Sequence, residues 1–266
     1  MKKLVLYGSA VVLAASGVVR AADLPPAYKA PAPAPITNWT GVYVGLNAGY
    51  AWNHDGGPLE CVNPLGVSFG VGCGLIPFSS LNASGAFGGA QIGYNWQAGQ
   101  YVLGFETDFQ GADIRGSTTT SGPWPFVGLP QLSSANSLFT ASQKIDWFGT
   151  ARLRLGYAFG QTLLYATGGL VYGRVALQTD VLHPANAFPA SGTFTNAGWT
   201  AGGGIEYAFS NHVSAKIEGL YYDLGDNSIS GGSVPMINGF TRGKDFETRG
   251  ALVRGGVNYK FDWAAP

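Results

Sequence analysis

The chain has 266 residues, with 15 basic and 15 acidic side chains, three histidines and two cysteines. Removing an N-terminal segment that carries Lys2, Lys3 and Arg20 leaves 12 basic against 15 acidic residues, a net charge of 12 − 15 = −3. A mildly acidic chain with scattered charge lacks the clustered basic face of a nucleic-acid binder, so no nucleic-acid partner is expected.

Residues 1–21 read as a secretory signal peptide. Lys2 and Lys3 form the charged start, Leu4 to Val19 the mostly apolar middle, and Val19-Arg20-Ala21 places small residues at −3 and −1 of a cleavage site. The alternative is a retained membrane helix, but the apolar run is shorter than the roughly twenty residues a span needs. With no cysteine at the cleavage point, a lipid anchor is not expected. Residues 22–38 (ADLPPAYKAPAPAPITN) contain five prolines. That composition predicts a semi-rigid polyproline II spacer in the periplasm, either a plain disordered leader or a contact to the cell wall.

From Trp39 to Phe261 apolar residues recur at every second position in eight stretches, approximately 40–52, 85–96, 101–111, 144–159, 162–177, 198–209, 213–223 and 249–261. Each is long enough for a tilted strand to cross a bilayer. Connections at 97–100, 160–161 and 210–212 are short, while those near 53–84, 112–143, 178–197 and 224–248 are long. Short periplasmic turns and long outer loops describe an all-β, eight-stranded antiparallel up-and-down transmembrane barrel occupying residues 39–261, with 262–266 a short C-terminal extension. The sheet must close, because lipid offers no partner for an unpaired backbone N–H or C=O.

The alternation assigns faces. Val42, Val44, Leu46, Ala48, Tyr50 and Trp52 share one face of the first strand, opposite Gly45, Asn47 and Gly49. In the fourth, Ile145, Trp147, Ala151, Leu153 and Leu155 oppose Lys144, Asp146, Thr150, Arg152 and Arg154. Aromatic residues in the lipid-facing frame mark both interfaces. Tyr94, Trp96, Tyr101, Tyr157, Phe159, Tyr165, Tyr207, Phe209, Tyr259 and Phe261 stand at the short-turn end; Tyr50, Trp52, Phe109, Trp147, Trp199 and Tyr221 stand at the long-loop end. Phe87 and Tyr172 fall in the inward frame. A soluble lipocalin-type barrel would have to crowd these rings into one narrow interior, which an eight-stranded barrel cannot hold.

Three sequence blocks carry a family resemblance: NWTGVYVGLNAGYAW, GWTAGGGIEYAFSNHVSAKIEGLYYDLG and ALVRGGVNYKF. They resemble the corresponding blocks of the small porin-like outer-membrane barrels, also called outer-membrane immunogenic proteins, abundant in alphaproteobacteria; the ADLP after the signal is similar too. The resemblance implies a Gram-negative outer-membrane location and a role in envelope integrity and surface exposure. It implies contact with outer-membrane lipid and lipopolysaccharide, and handling by the barrel-assembly machinery. Some relatives are reported as weak porins, haem binders or adhesins. Phe261 fits the aromatic assembly signal that commonly ends such chains, although Asp262-Trp263-Ala264-Ala265-Pro266 follow it here.

The inward frame gathers a candidate lumen network of five acids, Glu106, Asp108, Asp146, Glu206 and Glu218, and five bases, Arg152, Arg154, Arg174, Lys216 and Arg254. Paired charges can occupy a narrow interior where isolated ones cannot. Two readings follow: a salt-bridged plug that fixes register, or a charged path for small ions. Inward glycines such as Gly45, Gly49, Gly89, Gly202 and Gly204 leave room for the arginines or for water. Cys61 and Cys73, in the first outer loop, are expected to form a disulfide in an oxidising compartment. His54, His183 and His212 all lie outside the predicted strands, so no base stands beside a nucleophile and no enzyme is expected. Haem capture by His54 or His183 rests on family analogy alone, and neither a cofactor nor a metal is expected. The glycine runs at 168–169 and 202–204 lack the lysine and helix of a phosphate loop. The leading function is a structural barrel that presents surface loops. The alternatives are a narrow porin and a surface receptor or adhesin contacting its ligand near Pro123-Trp124-Pro125-Phe126 or 183–189.

Overall fold

The computed structural model describes residues 37–55, 59–62, 81–122, 137–183, 186–231 and 241–261. The proposed signal, most of the proline-rich leader, Cys73 and residues 262–266 lie outside the described residues, as does the side chain of Cys61. Everything described belongs to one compact unit, Pro35–Pro266.

Its strands are β1 (Gly41–Asp55), β2 (Leu59–Val62), β3 (Leu81–Ala98), β4 (Tyr101–Gly122), β5 (Ser137–Phe159), β6 (Thr162–His183), β7 (Asn186–Ala208), β8 (Val213–Gly231) and β9 (Thr241–Lys260). All neighbours pair antiparallel in chain order, and β1 pairs with β9 to close the ring, with Val44 opposite Tyr259 and Ala48 opposite Gly255. The eight predicted strands form this barrel. The short β2 was not predicted; it adds to the far end of β9, Cys61 opposite Arg242.

At one end the strands turn tightly. Gly99 and Gly160 occupy two-residue turns with φ of 62° and 58°, a left-handed backbone that glycine adopts without strain. At the other end the strands run well past their predicted limits. A 23-residue strand such as β5 or β7, rising about 3.3 Å per residue at a tilt of about 40°, reaches about 55–60 Å along the axis, more than twice the apolar band of an outer-membrane barrel. What the sequence suggested as a third outer loop is largely a continuation of the β6–β7 hairpin, paired out to His183 and Asn186.

The outer wall at membrane level is apolar, with Leu46, Leu103, Leu153, Leu170, Ile205, Ile217 and Val257 all exposed on it. Rings bracket this band. Tyr101–Tyr157, Tyr157–Phe159, Tyr207–Phe209 and Tyr259–Phe261 make contacts of 4.5–5.4 Å at the short-turn end. Tyr50–Trp52, Phe109–Trp147 and Trp199–Tyr221 do so at 5.3–5.5 Å at the other end. Phe261 is part of the lower belt, outward-facing against Tyr259.

Three face assignments need correction. Strand β6 is inverted: Leu163, Tyr165, Thr167, Val171, Val175 and Leu177 are buried within the barrel, while Tyr172 and Arg174 are on the outer face. Both frames of this strand are apolar, so alternation does not distinguish them. On β5 an extra residue, Asp146, is inserted between Ile145 and Trp147, and the ladder slips past it. A bulge of this kind exchanges the two faces beyond it. Ile145 therefore turns inward, and Lys144 turns outward to pair with Asp146 at 2.5 Å. The matching irregularity on β4, between Gly111 and Ile114, turns Ile114 inward.

Candidate functional site

The barrel interior is built in layers. Nearest the short turns, Trp39, Val102, Ala158, Leu163, Tyr165 and Ala208 form a small apolar cluster. Trp39 precedes β1 and is held there by its backbone N–H, which donates to Gln97 Oε1 at 2.7 Å. Above it lies the charged layer. Nearer the loops a larger apolar cluster includes Phe87, Ile114, Ile145, Phe148, Val171, Val175, Leu220 and Leu252. In that cluster Phe87 and Phe148 meet edge-on at 5.1 Å. Further out again, buried Asn53 donates to Gln143, which donates to Thr248.

The charged layer contains eight of the ten predicted residues: Glu106, Asp108, Glu206, Glu218, Arg152, Arg154, Lys216 and Arg254. All are buried, at 1–4 % exposure. Asp146 and Arg174 are not among them, one displaced by the β5 bulge and the other by the reversed face of β6. Each loss removes one sign, so four acids still face four bases.

Strand register places opposite charges side by side. Glu106 is opposite Arg152 across β4–β5, Glu206 is opposite Lys216 across β7–β8, and Glu218 is opposite Arg254 across β8–β9. Longer side chains then cross the interior. Arg152 donates to Glu106 at 2.5 Å, to Glu218 at 2.7 Å and to Asp108 at 3.2 Å. Arg254 reaches Asp108 at 2.8 Å and Glu218 at 2.7 Å. Lys216 Nζ donates to both oxygens of Glu106. A guanidinium shared among several carboxylates satisfies most of its donors at once, which a buried charge requires.

Neutral groups complete the network. Tyr43 donates to Glu106 at 2.7 Å, Tyr165 to Glu218 at 2.9 Å, and Thr150 to Asp108 at 2.7 Å. Ser214 and Asn258 both donate to Glu206. The Arg154 guanidinium lies 3.9 Å from the Tyr165 ring centroid and 5.9 Å from that of Tyr43, and it pairs with Glu206 at 2.7 Å. Sequence reasoning missed both tyrosines. Tyr43 was legible in principle, since it shares the frame of Gly45 and Asn47; Tyr165 was hidden by the ambiguity of β6. Glycine makes the packing feasible: a Cβ on Gly45 would fall 2.1 Å from Asn258 Oδ1, and one on Gly204 only 2.7 Å from the Tyr165 hydroxyl.

Residues 11–261 match the family described as the outer membrane protein beta-barrel domain. The chain belongs to that family. It is 37% identical over 270 residues to the 31 kDa outer-membrane immunogenic protein of Brucella melitensis, covering 98% of this chain and all of the relative. The 22 kDa outer membrane protein of Rhizobium leguminosarum is 30% identical over 187 residues, 69% of this chain and 71% of that one. The crystal structure of OprG from Pseudomonas aeruginosa covers 85% of this chain and 99% of its own, with 13% identity and a TM-score of 0.45. This family member is an outer-membrane β-barrel of the immunogenic-protein group, located in the outer membrane of a Gram-negative bacterium.

Within the family fold, the other predicted features divide. His212 lies in the turn before β8 and stacks on Tyr259 at 5.9 Å. The side chains of His54 and His183, and residues 123–126, lie outside what is described. So does the Cys61–Cys73 pair.

Proposed function

We propose that this barrel is a structural wall protein of the outer membrane, with an interior closed to solutes. The observation that carries the reading is the charged layer: eight buried side chains of balanced sign, ion-paired across the lumen rather than arranged along opposite walls. A selectivity path needs charges that face water and exchange partners with passing ions. Here the same groups are already shared among each other, and apolar side chains pack on both sides of them. The long paired hairpins beyond the upper aromatic belt support a second element of the role, display of surface structure on a rigid base. The absence of an expected base–nucleophile pair in the sequence supports a non-catalytic role. We also infer cleavage after Ala21 and a Cys61–Cys73 bridge in the first outer loop; N-terminal sequencing and mass measurement before and after reduction test them.

The deciding experiment is single-channel recording of the protein in a planar bilayer, with insertion and folding shown by heat-dependent electrophoretic mobility. Folded, inserted protein that stays electrically silent supports the structural reading. Steady unitary openings that vanish or change selectivity with Arg152→Ala would replace it with the narrow-porin reading. Ligand capture that is lost on shortening an outer loop, in a silent barrel, would favour a receptor or adhesin.

A further inference from the structure

The outer face of β4–β7 carries a groove of about 590 Å³ just beyond the upper aromatic belt. Two ladder rows build it. In the first, Arg115 is opposite Lys144, Lys144 opposite Ala176, and Ala176 opposite Thr193. In the second, Ser117, Ser142, Gln178 and Ser191 line up in the same way. Short side chains thus form the floor, two cations one flank, and hydroxyls and an amide the rest.

Depth follows from the ladder. Trp147 of the belt is directly opposite Arg174, and Lys144 stands three residues further from the bilayer. Arg174 is exposed and has no ion pair among the described residues; from belt level its long side chain can extend toward the groove. Arg115 and Lys144 pair with Asp113 and Asp146, each two positions away on its own strand. Such exposed pairs are weak and yield to a doubly charged anion. Three cations face two carboxylates here, while Asp180 lies further out, beyond Gln178. On the opposite wall at similar height the balance reverses, with Asp223, Asp226 and Glu247 around a single Arg249.

We propose that this groove binds the phosphorylated sugar headgroup of an outer-leaflet glycolipid. Arg115, Lys144 and Arg174 take the phosphate, the serine, threonine and glutamine side chains hydrogen-bond the sugar hydroxyls, and the acyl chains run down the Phe109–Trp147–Leu170 face. The aromatic belt decides in favour of a lipid over a soluble sugar phosphate, because the headgroup of a molecule anchored beside Trp147 arrives at this height.

The test is a titration of the detergent-purified protein with bisphosphorylated lipid A, read by native mass spectrometry. The parent chain and Arg249→Ala should bind alike. The triple variant Arg115→Ala, Lys144→Ala, Arg174→Ala should bind roughly tenfold or more weakly, the scale expected when charge-assisted phosphate contacts are removed. The charge-keeping triple Arg115→Lys, Lys144→Arg, Arg174→Lys should retain most of the affinity, and heat-dependent mobility shows each variant folded. Equal binding by the parent and the folded alanine triple overturns the proposal. So does equal affinity for dephosphorylated lipid A, which would mean binding by acyl chains alone. Glucosamine phosphate binding as tightly as the lipid would assign the groove to a soluble ligand and overturn it as well.

Discussion

Lys216 Nζ sits 2.7 and 2.8 Å from the two oxygens of Glu106, although the two residues are 110 positions apart and belong to strands on different sides of the barrel. The contact passes through the interior and ties β8 to β4 independently of the backbone ladder. Removing either partner leaves the other charge buried. Lys216→Met or Glu106→Gln should each destabilise the barrel by about 3–5 kcal/mol, the range for breaking a buried pair. The double variant should lose clearly less than the sum, because neither charge is then left alone. Urea unfolding in vesicles, followed by tryptophan emission, measures all three.

Conductance should be obtainable by subtraction. Arg152 and Arg254 together occupy the centre of the charged layer and serve Glu106, Asp108 and Glu218. Removing both guanidiniums in Arg152→Ala/Arg254→Ala leaves uncompensated carboxylates and the volume of two large side chains. The expected result is a small, cation-preferring conductance in a planar bilayer where the parent is silent. A silent, folded double variant would show that the flanking apolar layers alone keep the interior shut.

Glycines on the two faces of the wall should respond oppositely. A Cβ on Gly45 would be driven into Asn258 and the carbonyl of Val257, whereas one on Gly88 meets only ordinary contacts at 3.5 Å or more. Gly45→Val should therefore cost about 1–3 kcal/mol or block folding. Gly88→Leu, on the lipid-facing side, should be neutral or mildly stabilising. Refolding yield and the urea midpoint distinguish the two.

Tryptophan depth gives an independent check of orientation. Trp199 is 52% exposed on the outer belt, while Trp39 is 4% exposed inside the short-turn end. In single-tryptophan variants, bromine-labelled lipid chains should quench Trp199 strongly and leave Trp39 bright. Equal quenching would mean that Trp39 does not seat in the barrel mouth.

Strand number, order and the direction of the short turns were legible because period-2 alternation and turn residues are local signals. The faces of β1, β8 and β9 were legible too, since one frame is apolar and the other carries Asn47, Glu218 or Arg254. Strand β6 was not: Leu163, Val171 and Val175 on one frame are as apolar as Leu164 and Leu170 on the other, and only the partners across the lumen decide. Asp146 and Arg174 were misplaced for related reasons, a single inserted residue in one case and a uniform strand in the other. The outward extension of β5, β6 and β7 escaped notice because its serines, threonines and glycines read as loop. Trp39 escaped because a single residue before the first strand has no period at all.

The pairing of β1 with β9 closes the ring through the first and last strands of the chain, and this has a consequence for biogenesis. Glu218 and Asp108 receive Arg254 only from that final strand. A partly inserted barrel, however many strands it has laid down, holds carboxylates with an absent counter-ion beside lipid. Completion therefore arrives as a single late event, when the end of the polypeptide meets its beginning and the last guanidinium enters. A chain truncated within β9 forfeits the edge seal and the electrical balance of the interior at once, so the intermediate has no halfway resting place and is a natural substrate for degradation.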